Sequence, residues 1–394
     1  MERSLQNWQH SMIRNNIEKY REALDNYYIK NKRLVEVSSG KAFSLLSPPL
    51  GSPAARRRIR FIMNNAIDKS SNVDENGTIN WGSRTPHFLT IAVTYNCQCN
   101  CLHCSAYDYR ESVKREKNAL SFSELKRGIR EAIDIGSTCI IFTGGEPLIY
   151  EDIYKLIKAV DKSKSICTIF TNGEYLNKDV VEKLKESEVF GVFVSLDYSD
   201  SKKHNEHRGR KNLFEKAVKG IKLCQKNGIL TGLSTFITKE KIVDGELDAM
   251  MDLGKSLDVL EVFLFDVIAT GKLKDRQSCM LGDDEINEIK RFRKKYNEKS
   301  DYPRIIHQTM FSSIAYPCAA EGCPAGVAQI HLRANGDVSP CDFTPLSFGN
   351  IRQKSLGEIW KVITENDIYS KPSNQCRLAD VDIWNKIMQL SNPT

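Results

Sequence analysis

The sequence lacks an uninterrupted apolar run of the roughly 18–20 residues that a membrane-spanning helix needs. Its N-terminus, which begins Met-Glu-Arg-Ser-Leu, has no apolar core of the kind that marks a secretory signal. Hydrophobic residues make up 41% of the chain and charged residues 27%, which argues against a disordered or fibrous protein. We therefore expect a globular protein of the cytoplasm, and its 394 residues are enough for two or three domains.

Cysteine is too scarce for a disulfide scaffold, since there are 12 among the 394 residues. In a chain without a secretion signal, clustered cysteines favour metal ligands over disulfides. Most of the cysteines fall into two groups, which are Cys97, Cys99, Cys101 and Cys104, and Cys318, Cys323, Cys341 and Cys376. We expect three of the others, Cys139, Cys167 and Cys224, to be buried packing residues.

Basic residues are only slightly in excess, with a net charge of +7. The excess lies in residues 1–86, which hold 14 lysines and arginines and 8 acidic residues. A uniform nucleic-acid-binding surface is therefore not indicated, and we expect no nucleic-acid partner. Three interpretations of the basic segment stay open. It covers the rest of the protein, it recognises an acidic partner such as a leader peptide, or it forms a membrane-surface patch around Arg56–Arg60.

Residues 1–86 are predicted to form an N-terminal helical extension. Apolar residues recur at steps of three and four between Met12 and Tyr27, which is typical of an amphipathic helix. A proline-rich stretch from Ser47 to Pro53 ends this pattern. The strand patterning of the extension is poor, so it does not resemble a winged-helix peptide-recognition domain.

A regular alternation of strands and helices begins at Phe88. Apolar, β-branched runs lie near residues 88–94, 138–143, 166–171, 189–196, 230–237 and 258–268. Amphipathic segments lie near residues 121–135, 150–163, 178–187, 212–227, 245–256 and 283–298. This alternation predicts an α/β fold with a parallel sheet covered by helices, and it places functional groups at the carboxyl ends of the strands. Beyond Tyr302 the elements become short and rich in Gly, Pro and Cys.

The first cysteine group follows the first predicted strand. Cys97, Cys101 and Cys104 form a CxxxCxxC pattern, and three thiolates on a short loop can hold three corners of an iron–sulfur cube. The fourth iron then stays open for a small ligand. Cys99 lies between two of these cysteines, and we expect it to point away. A zinc site and unrelated buried thiols are the alternatives.

Short polar motifs follow the next three predicted strands. They are Gly144-Gly145-Glu146-Pro147, Thr171-Asn172-Gly173 and Ser195-Leu196-Asp197, with Arg208 soon after the last. Glycines let a backbone approach a ligand closely, a carboxylate can accept hydrogen bonds from an ammonium group, and an arginine fork suits a carboxylate. Each motif alone is also an ordinary turn, and Asp197 is equally suited to cap the turn that follows it.

In combination, these motifs resemble the radical S-adenosylmethionine (SAM) superfamily over about residues 88–300. The resemblance implies a partial (β/α)6 barrel and a 4Fe–4S cluster held by Cys97, Cys101 and Cys104. In that family the open iron binds SAM, and one electron from the cluster cleaves SAM to methionine and a 5′-deoxyadenosyl radical that abstracts hydrogen from a substrate. The residues that would contact SAM are Gly144, Gly145, Glu146, Pro147, Thr171, Asn172, Ser195, Asp197 and Arg208. The loop from Asp266 to Lys272 resembles one that lies near the adenosine.

The second cysteine group resembles the SPASM and Twitch auxiliary-cluster domains. Cys323, twelve residues, Gly336, four residues and Cys341 match their CX9–15GX4C signature. With Cys318 and Cys376, four thiolates are present, which is enough to ligate one 4Fe–4S cluster completely. No cysteine follows Cys376, which favours the one-cluster Twitch form. A zinc site made of the same four residues is the alternative.

Asp342 directly follows Cys341, and the same pair occurs in anaerobic sulfatase-maturating enzymes. There the aspartate acts as a general base in substrate oxidation, so we expect Asp342 to be catalytic. The alternative is a carboxylate that only accepts backbone hydrogen bonds near the cluster.

The sequence thus predicts a radical SAM enzyme with three parts. They are an N-terminal helical extension over residues 1–86, a core domain over 87–300, and a small SPASM/Twitch-like domain over 301–394. We expect oxidation or bond-forming modification of a peptide or small metabolite, with one auxiliary 4Fe–4S cluster and an electron donor such as flavodoxin or ferredoxin. A tetrapyrrole or lipid substrate, a non-catalytic electron carrier or scaffold, and a zinc-dependent interaction protein are the other possibilities.

Overall fold

The computed structural model describes residues 32–67, 84–110, 118–310, 322–371 and 373–391. The predicted helix between Met12 and Tyr27 and the predicted ligand Cys318 therefore lie outside the described residues.

Within the described ranges, nine strands form one sheet, and two more form a separate hairpin. The hairpin strands are β1 (Val35–Val37) and β2 (Gly40–Ala42). The sheet strands are β3 (Phe88–Thr94), β4 (Cys139–Gly144), β5 (Ile166–Thr171), β6 (Gly191–Ser195), β7 (Leu230–Ile237), β8 (Glu261–Asp266), β9 (Arg304–His307), β10 (Gln329–Leu332) and β11 (Val338–Ser339). Their order is β11-β10-β3-β4-β5-β6-β7-β8-β9, and every neighbouring pair is parallel except β10 with β11. The sheet is therefore an open, partial barrel whose edges are β11 and β9.

Helices cover the outside of this sheet. They are α1 (Pro53–Ile67), α2 (Phe122–Asp134), α3 (Ile153–Ala159), α4 (Lys178–Glu186), α5 (Ser201–Arg208), α6 (Leu213–Lys226), α7 (Lys239–Val243), α8 (Glu246–Ser256), α9 (Asp283–Asn297), α10 (Leu356–Glu365) and α11 (Val381–Ser391). Among the helices of the described ranges, none combines the length and the apolarity that crossing a bilayer requires.

The six predicted strands of the core are all confirmed, and so is the alternation with helices. Ser121 caps α2 and Glu124 closes the predicted capping box. The hairpin of β1 and β2 and the short helices α5 and α7 were not predicted from the sequence.

The alternation of side chains along β3 divides the core into two layers. Leu89, Ile91 and Val93 pack outward among the residues that face the helices. Phe88 faces the interior of the barrel, where it belongs to a second apolar cluster with Phe263. Successive strand residues point to opposite faces, so one strand serves both layers.

Residues before α1 close the floor of the barrel. The backbone N–H of Leu45 donates to Glu261 Oε1 at 2.7 Å, and Thr168 Oγ1 donates to the Leu45 carbonyl at 2.7 Å. Gly191 lies beneath the same leucine, because a Cβ there would approach Leu45 Cδ2 to 2.8 Å. The N-terminal extension is thus packed into the core at this point.

Part of the basic run in α1 is also used internally. Arg58 is buried, and it donates to Thr138 Oγ1 at 2.7 Å and to Ser47 Oγ at 3.0 Å. Arg56 and Arg60 are exposed. These contacts favour the interpretation of this segment as a cover over the barrel, and within the described run Arg56–Arg60 they leave Arg56 and Arg60 for an external partner.

The C-terminal residues extend the same sheet. β10 pairs in parallel with β3, in the register that places Ile330 opposite Leu89. Leu332 of β10 packs on Gly128 of α2, where a Cβ would come within 2.7 Å of the leucine side chain. The second cysteine group is therefore attached to the first strand of the barrel by a hydrogen-bonded ladder.

Candidate active site

A cavity of about 250 Å³ lies at the carboxyl ends of the barrel strands, between the two cysteine groups. The predicted residues that line it are Cys97, Cys101, Cys104, Gly144, Gly145, Thr171, Asn172, Ser195, Asp197, Arg208, Cys323, Cys341, Asp342 and Cys376. The structure therefore brings most of the predicted site to one place. Glu146 and Pro147 are not among the described lining residues.

The loop that carries the first cysteine group is fixed from three directions. Arg110 donates to the carbonyls of Cys97 and Cys99 at 2.6 and 3.0 Å. The N–H of Asn100 donates to the Arg208 carbonyl at 2.9 Å, and the N–H of Lys272 donates to the Cys104 carbonyl at 3.1 Å. Backbone groups thus hold the loop shape and leave its thiols available.

Cys99 does not point away from its neighbours, so that expectation is wrong. Its side chain is buried, and its thiol hydrogen-bonds to both Cys97 and Cys101. The hydrogen bond from Cys99 lowers the pKa of Cys101 to about 7 and also lowers the pKa of Cys97. Burial raises the pKa of Cys104. Cys99 is separated by one residue from Cys97 and by one residue from Cys101, and the three thiols lie together. The CxxxCxxC pattern of Cys97, Cys101 and Cys104 does not indicate this.

The two glycines after β4 are required by close backbone contacts. A Cβ on Gly144, whose φ is +129°, would lie 2.1 Å from the Thr94 carbonyl oxygen. A Cβ on Gly145 would lie 2.2 Å from the Asn96 carbonyl oxygen. The turn therefore packs directly on the start of the cysteine loop, since Asn96 immediately precedes Cys97.

Glu146 joins the ends of two strands. Its carboxylate accepts hydrogen bonds from Thr171 Oγ1 at 2.7 Å, the N–H of Asn172 at 2.8 Å and the N–H of Leu148 at 3.1 Å. Burial raises its pKa to about 7 despite these donors. In the structure Glu146 therefore lies behind the lining of the cavity and positions Thr171 and Asn172, which are in it.

Asn172 has a buried donor with no partner among the described residues. Its Oδ1 accepts from Gln98 Nε2 at 3.1 Å and from the N–H of Glu174 at 3.0 Å. Its Nδ2 has no acceptor in the described part of the chain. A buried amide donor usually has a partner, so this atom is suited to a polar ligand in the cavity.

Asp197 and Arg208 form a buried ion pair at the next strand end. Nε and Nη2 of Arg208 donate to the two oxygens of Asp197 at 2.6 and 2.8 Å. Burial opposes ionisation of Asp197, but the Arg208 guanidinium keeps its pKa well below the usual range. Ser195 Oγ lies 3.1 Å from Ser234 Oγ on the neighbouring strand. The pair therefore keeps both charges at the cavity wall.

His103 is an aromatic residue within the cysteine loop, and its ring is uncharged. Its ring stacks on Phe236 with a centroid distance of 4.2 Å and on His207 at 5.0 Å. Burial lowers its pKa to about 3. The ligand atoms of His103, Asp197 and His207 lie within 4.8 Å of one another, but Arg208 already neutralises the aspartate.

The described members of the second cysteine group lie across the cavity. Cys323 follows the segment that holds Cys318, and its N–H donates to the Ser373 carbonyl at 2.9 Å. A hydrogen bond from Cys376 lowers the pKa of Cys323 well below its usual value. Burial raises the pKa of Cys341. Three of the four predicted auxiliary ligands are thus together, and Cys318 is outside the described residues.

Asp342 faces the cavity next to Cys341. Its Oδ1 accepts a hydrogen bond from Gln329 Nε2 at 3.2 Å, and burial raises its pKa. Gln329 lies on β10. This strand is also joined to β3 through side chains, because Thr90 Oγ1 on β3 lies 2.9 Å from His331 Nδ1 on β10. Sequence reasoning missed Gln329, because a single glutamine on a short strand carries no recognisable motif.

A further polar group lies at the end of β8, where Asp266 contacts His307 and Gln308. Of these three residues, only Asp266 was predicted from the sequence. Asp266 accepts hydrogen bonds from Gln308 Nε2 at 2.8 Å and contacts His307 Nε2 at 2.6 Å. Gly271 packs on the cysteine loop, because a Cβ there would lie 2.2 Å from the Cys104 carbonyl oxygen. Asp266 was expected near the site, whereas His307 and Gln308 lie on and after β9, a strand that was not predicted.

These features fit an iron–sulfur cluster and SAM. Thiolates are the usual ligands of such clusters, and each of the two groups presents at least three cysteines to the cavity. The space between them is lined by two glycine backbones and by an amide donor that has no protein acceptor among the described residues. Gly144, Gly145 and Asn172 therefore offer polar contacts to a ligand held beside the first cysteine group.

Comparison with protein-family models gives two matches. Residues 91–253 match the radical SAM superfamily, and residues 323–377 match an iron–sulfur cluster-binding domain named SPASM. Similar proteins include the AdoMet-dependent heme synthase of Methanosarcina barkeri, which is 25% identical over 295 residues, covering 71% of this chain and 83% of that protein. The GTP 3′,8-cyclase of Campylobacter jejuni is 31% identical over 273 residues, covering 66% of this chain and 81% of that protein.

Solved structures share the fold. SuiB from Streptococcus suis bound to its precursor peptide SuiA aligns with a TM-score of 0.59 and 21% identity, covering 80% of this chain and 70% of that one. A structure described as anSMEcpe with bound AdoMet aligns with a TM-score of 0.55 and 17% identity, covering 75% of this chain and 84% of that one. Because the family match, the cyclase likeness and the shared barrel agree, the chain belongs to the radical SAM superfamily and is an enzyme that uses SAM and 4Fe–4S clusters, with a SPASM-type domain at its C-terminal side.

Proposed function

We propose that this protein oxidises, or forms a bond on, a peptide or small-metabolite substrate by radical chemistry. The observation that carries the proposal is the cavity with a cysteine group on each side and the carboxylate of Asp342 in its wall. When bound, a reduced 4Fe–4S cluster and SAM supply a 5′-deoxyadenosyl radical that abstracts hydrogen from the substrate.

Cys97, Cys101 and Cys104 are the proposed ligands of the SAM-binding cluster. Arg110 holds the carbonyls of Cys97 and Cys99, and the N–H of Lys272 holds that of Cys104, so the backbone of the loop is fixed. Cys99 shares their environment through its hydrogen bonds to Cys97 and Cys101. We assign it no ligand role, because three cysteines leave an iron open for SAM.

The polar wall of the cavity orients SAM. The backbones of Gly144 and Gly145 and the amide of Asn172 provide polar contacts without bulky side chains. Ser195 and the Asp197–Arg208 pair form the adjoining wall. In this proposal Glu146 does not contact SAM directly. Its carboxylate positions Thr171 and Asn172 rather than facing the cavity.

Asp342 is the proposed general base. A carboxylate next to a cluster ligand can take the proton that a substrate radical loses when it is oxidised. Gln329 donates to Oδ1 of Asp342 and so fixes the carboxylate in the wall of the cavity. Cys318, Cys323, Cys341 and Cys376 are the proposed ligands of one auxiliary cluster that accepts the electron, and a flavodoxin or ferredoxin is the proposed external donor.

A tetrapyrrole is the second candidate substrate. It is favoured by the sequence likeness to AdoMet-dependent heme synthase, which extends over 83% of that protein. For either substrate the hydrogen would go to the 5′-deoxyadenosyl radical and the proton to Asp342, so the two candidates differ in what the cavity admits.

The first experiment counts iron and sulfide per chain after anaerobic reconstitution. With two cubane clusters we expect about eight irons in the wild type and about four in a Cys97→Ala/Cys101→Ala/Cys104→Ala variant. The matched control is Cys139→Ala, which removes a buried thiol outside the cavity. About four irons in the wild type and none in the triple variant would remove the auxiliary cluster from the proposal.

The second measurement is 5′-deoxyadenosine formed by the reduced protein with SAM. The wild type and Cys139→Ala should both produce it, and the triple variant should not. A fully clustered, reduced protein that produces none would instead support an electron carrier or scaffold. Zinc without iron or sulfide would support a zinc-dependent interaction protein.

A further inference from the structure

We infer that the cavity binds a neutral hydrocarbon group of the substrate against an apolar wall made of Phe170, Phe265 and Phe343. This set is called the phenylalanine wall below. The inference rests on the proposed function, since the group on this wall would be the one that loses hydrogen.

Two strands direct the wall into the barrel. Phe170 on β5 and Phe265 on β8 face the interior, whereas their chain neighbours Ile169 and Leu264 pack outward against the helices. Phe343 comes from the other side, directly after Asp342. All three rings line the cavity between the two cysteine groups.

The rings contact one another at their edges. Phe265 lies 5.8 Å from Phe170 with an interplanar angle of 65°, and 6.1 Å from Phe343 with an angle of 62°. Below them Phe263 is fully buried, 4.3 Å from Phe265. The three wall residues themselves are only partly buried. They therefore present apolar surface to the cavity, and covering such surface with another apolar group is favourable.

The charges around the cavity disfavour an anionic group. Of the described residues that line it, Arg208 is the single lysine or arginine, and both oxygens of Asp197 already engage its guanidinium. Asp266 and Asp342 are the other charged side chains of this lining. A triphosphate or a propionate would meet these carboxylates without a free described cation, and burying an unpaired charge is costly.

The phenylalanine wall also determines which part of the substrate lies near the carboxylate of Asp342. Phe343 and Asp342 are adjacent in the chain and both line the cavity, and Gln329 fixes the carboxylate. A hydrocarbon group on the ring of Phe343 therefore has its C–H bonds near a proton acceptor. The aromatic or aliphatic side chain of a peptide and the chain of an acyl lipid share this chemistry. The two sources are separated by the test.

The test follows hydrogen transfer from deuterated probes. In the abstraction, one C–D bond of the probe breaks and one C–D bond forms in the methyl group of 5′-deoxyadenosine, leaving a carbon radical on the probe. The cluster-loaded, reduced protein with SAM is given side-chain-deuterated N-acetylphenylalaninamide, deuterated octanamide or side-chain-deuterated N-acetylglutamate amide. The deuterated fraction of 5′-deoxyadenosine is measured by mass spectrometry. We expect at least a fivefold larger fraction from one of the two neutral hydrocarbons than from the anionic glutamate probe.

Variants of the wall provide the matched comparison. Phe343→Asn should lower the deuterated fraction from the hydrocarbon probe at least fivefold, and Phe343→Leu should retain most of it. Phe122→Asn is the control, because Phe122 packs on the apolar core at the start of α2 and does not line the cavity. Iron content and circular dichroism show whether each variant is folded and loaded.

Binding without turnover gives an independent readout. The fluorine resonance of N-acetyl-4-fluorophenylalaninamide should broaden in the presence of the oxidised, cluster-loaded protein, and an excess of N-acetylphenylalaninamide or octanamide should reverse the broadening. N-acetylglutamate amide should not.

The outcomes separate this inference from the proposed function. Equal or greater labelling from the glutamate probe, labelling from neither hydrocarbon while 5′-deoxyadenosine forms, or no effect of Phe343→Asn would overturn the phenylalanine wall. If no 5′-deoxyadenosine forms with any probe, the proposed function fails, and the fluorine experiment alone decides whether the wall binds hydrocarbon.

Discussion

The guanidinium of Arg208 donates to both carboxylate oxygens of Asp197, at 2.6 and 2.8 Å, although both side chains are buried. Arg208 ends α5 and Asp197 follows β6, so the pair ties a helix to the strand end that forms the cavity wall. The backbone carbonyl of Arg208 also accepts from Asn100 in the cysteine loop. Arg208 thus supports two sides of the site, through its side chain and through its backbone carbonyl.

Arg208→Leu should destabilise the protein by about 3–5 kcal/mol, because it leaves a buried carboxylate without its partner. Adding Asp197→Asn in the same chain should recover part of this loss. The measurement is denaturant unfolding of the cluster-loaded protein under anaerobic conditions. Lys255→Ala breaks the exposed pair with Asp301 and should leave stability nearly unchanged.

The same pair predicts a pH dependence. Asp197 has a lowered pKa in the folded state, so its stabilisation is present above the unfolded value of about 4 and is lost as the pH falls through the folded value. In Arg208→Leu the folded pKa should rise. A variant whose stability declines with acid just as the wild type does would contradict this account.

Cys99→Ala should keep both clusters and SAM cleavage, even though its thiol contacts Cys97 and Cys101. Cys97→Ala, Cys101→Ala and Cys104→Ala should each abolish cleavage. Iron content and 5′-deoxyadenosine formation measure both effects, with Cys224→Ala as the buried-thiol control. Loss of about four irons in Cys99→Ala would mean that Cys99 is one of the ligands.

Asp342→Asn should leave cleavage of SAM without substrate unchanged and should lower substrate turnover by roughly 10²–10⁴-fold, the usual range for removal of a general base. The asparagine can still accept from Gln329, so the local structure should be preserved. Asp367→Asn, on an exposed turn, is the control. Turnover equal to that of the wild type would exclude Asp342 as the base.

Glu261 on the barrel floor gives a prediction that is independent of any cofactor. Burial raises its pKa to about 7, so the folded state holds the proton where the unfolded state has released it. Its stabilising contribution is present below the unfolded pKa and is lost as the pH rises to about 7. Glu261→Gln keeps an acceptor for the N–H of Leu45 and should gain stability relative to the wild type between pH 5 and pH 8, by about 2–3 kcal/mol. If the difference in unfolding free energy between Glu261→Gln and the wild type were the same at pH 5 and at pH 8, this prediction would be wrong.

Local patterns explain why so much of the barrel could be predicted. The six core strands are short, β-branched and regularly spaced, and the capping box of Ser121 and Glu124 marks a helix start without tertiary information. The motifs at strand ends could be placed together, since parallel strands deliver their carboxyl ends to one edge.

What could not be predicted depends on contacts between distant residues. β10 has only four residues and becomes a sheet strand through its pairing with β3, more than two hundred positions earlier. The contact between Gln329 and Asp342 follows from that pairing. Glu146 was expected to face a ligand, yet its oxygens accept hydrogen bonds from Thr171 and Asn172. These contacts join two separate motifs, so neither motif alone predicts them.

The pairing of β10 with β3 also limits how the chain can be divided. A fragment that ends before β10 would leave the backbone groups of Phe88–Ile91 without partners along one side of β3. Exposed strand edges of this kind promote association between molecules. The barrel without its C-terminal residues should therefore aggregate rather than behave as an independent module, and the spacing of the two cysteine groups is a property of the sheet itself.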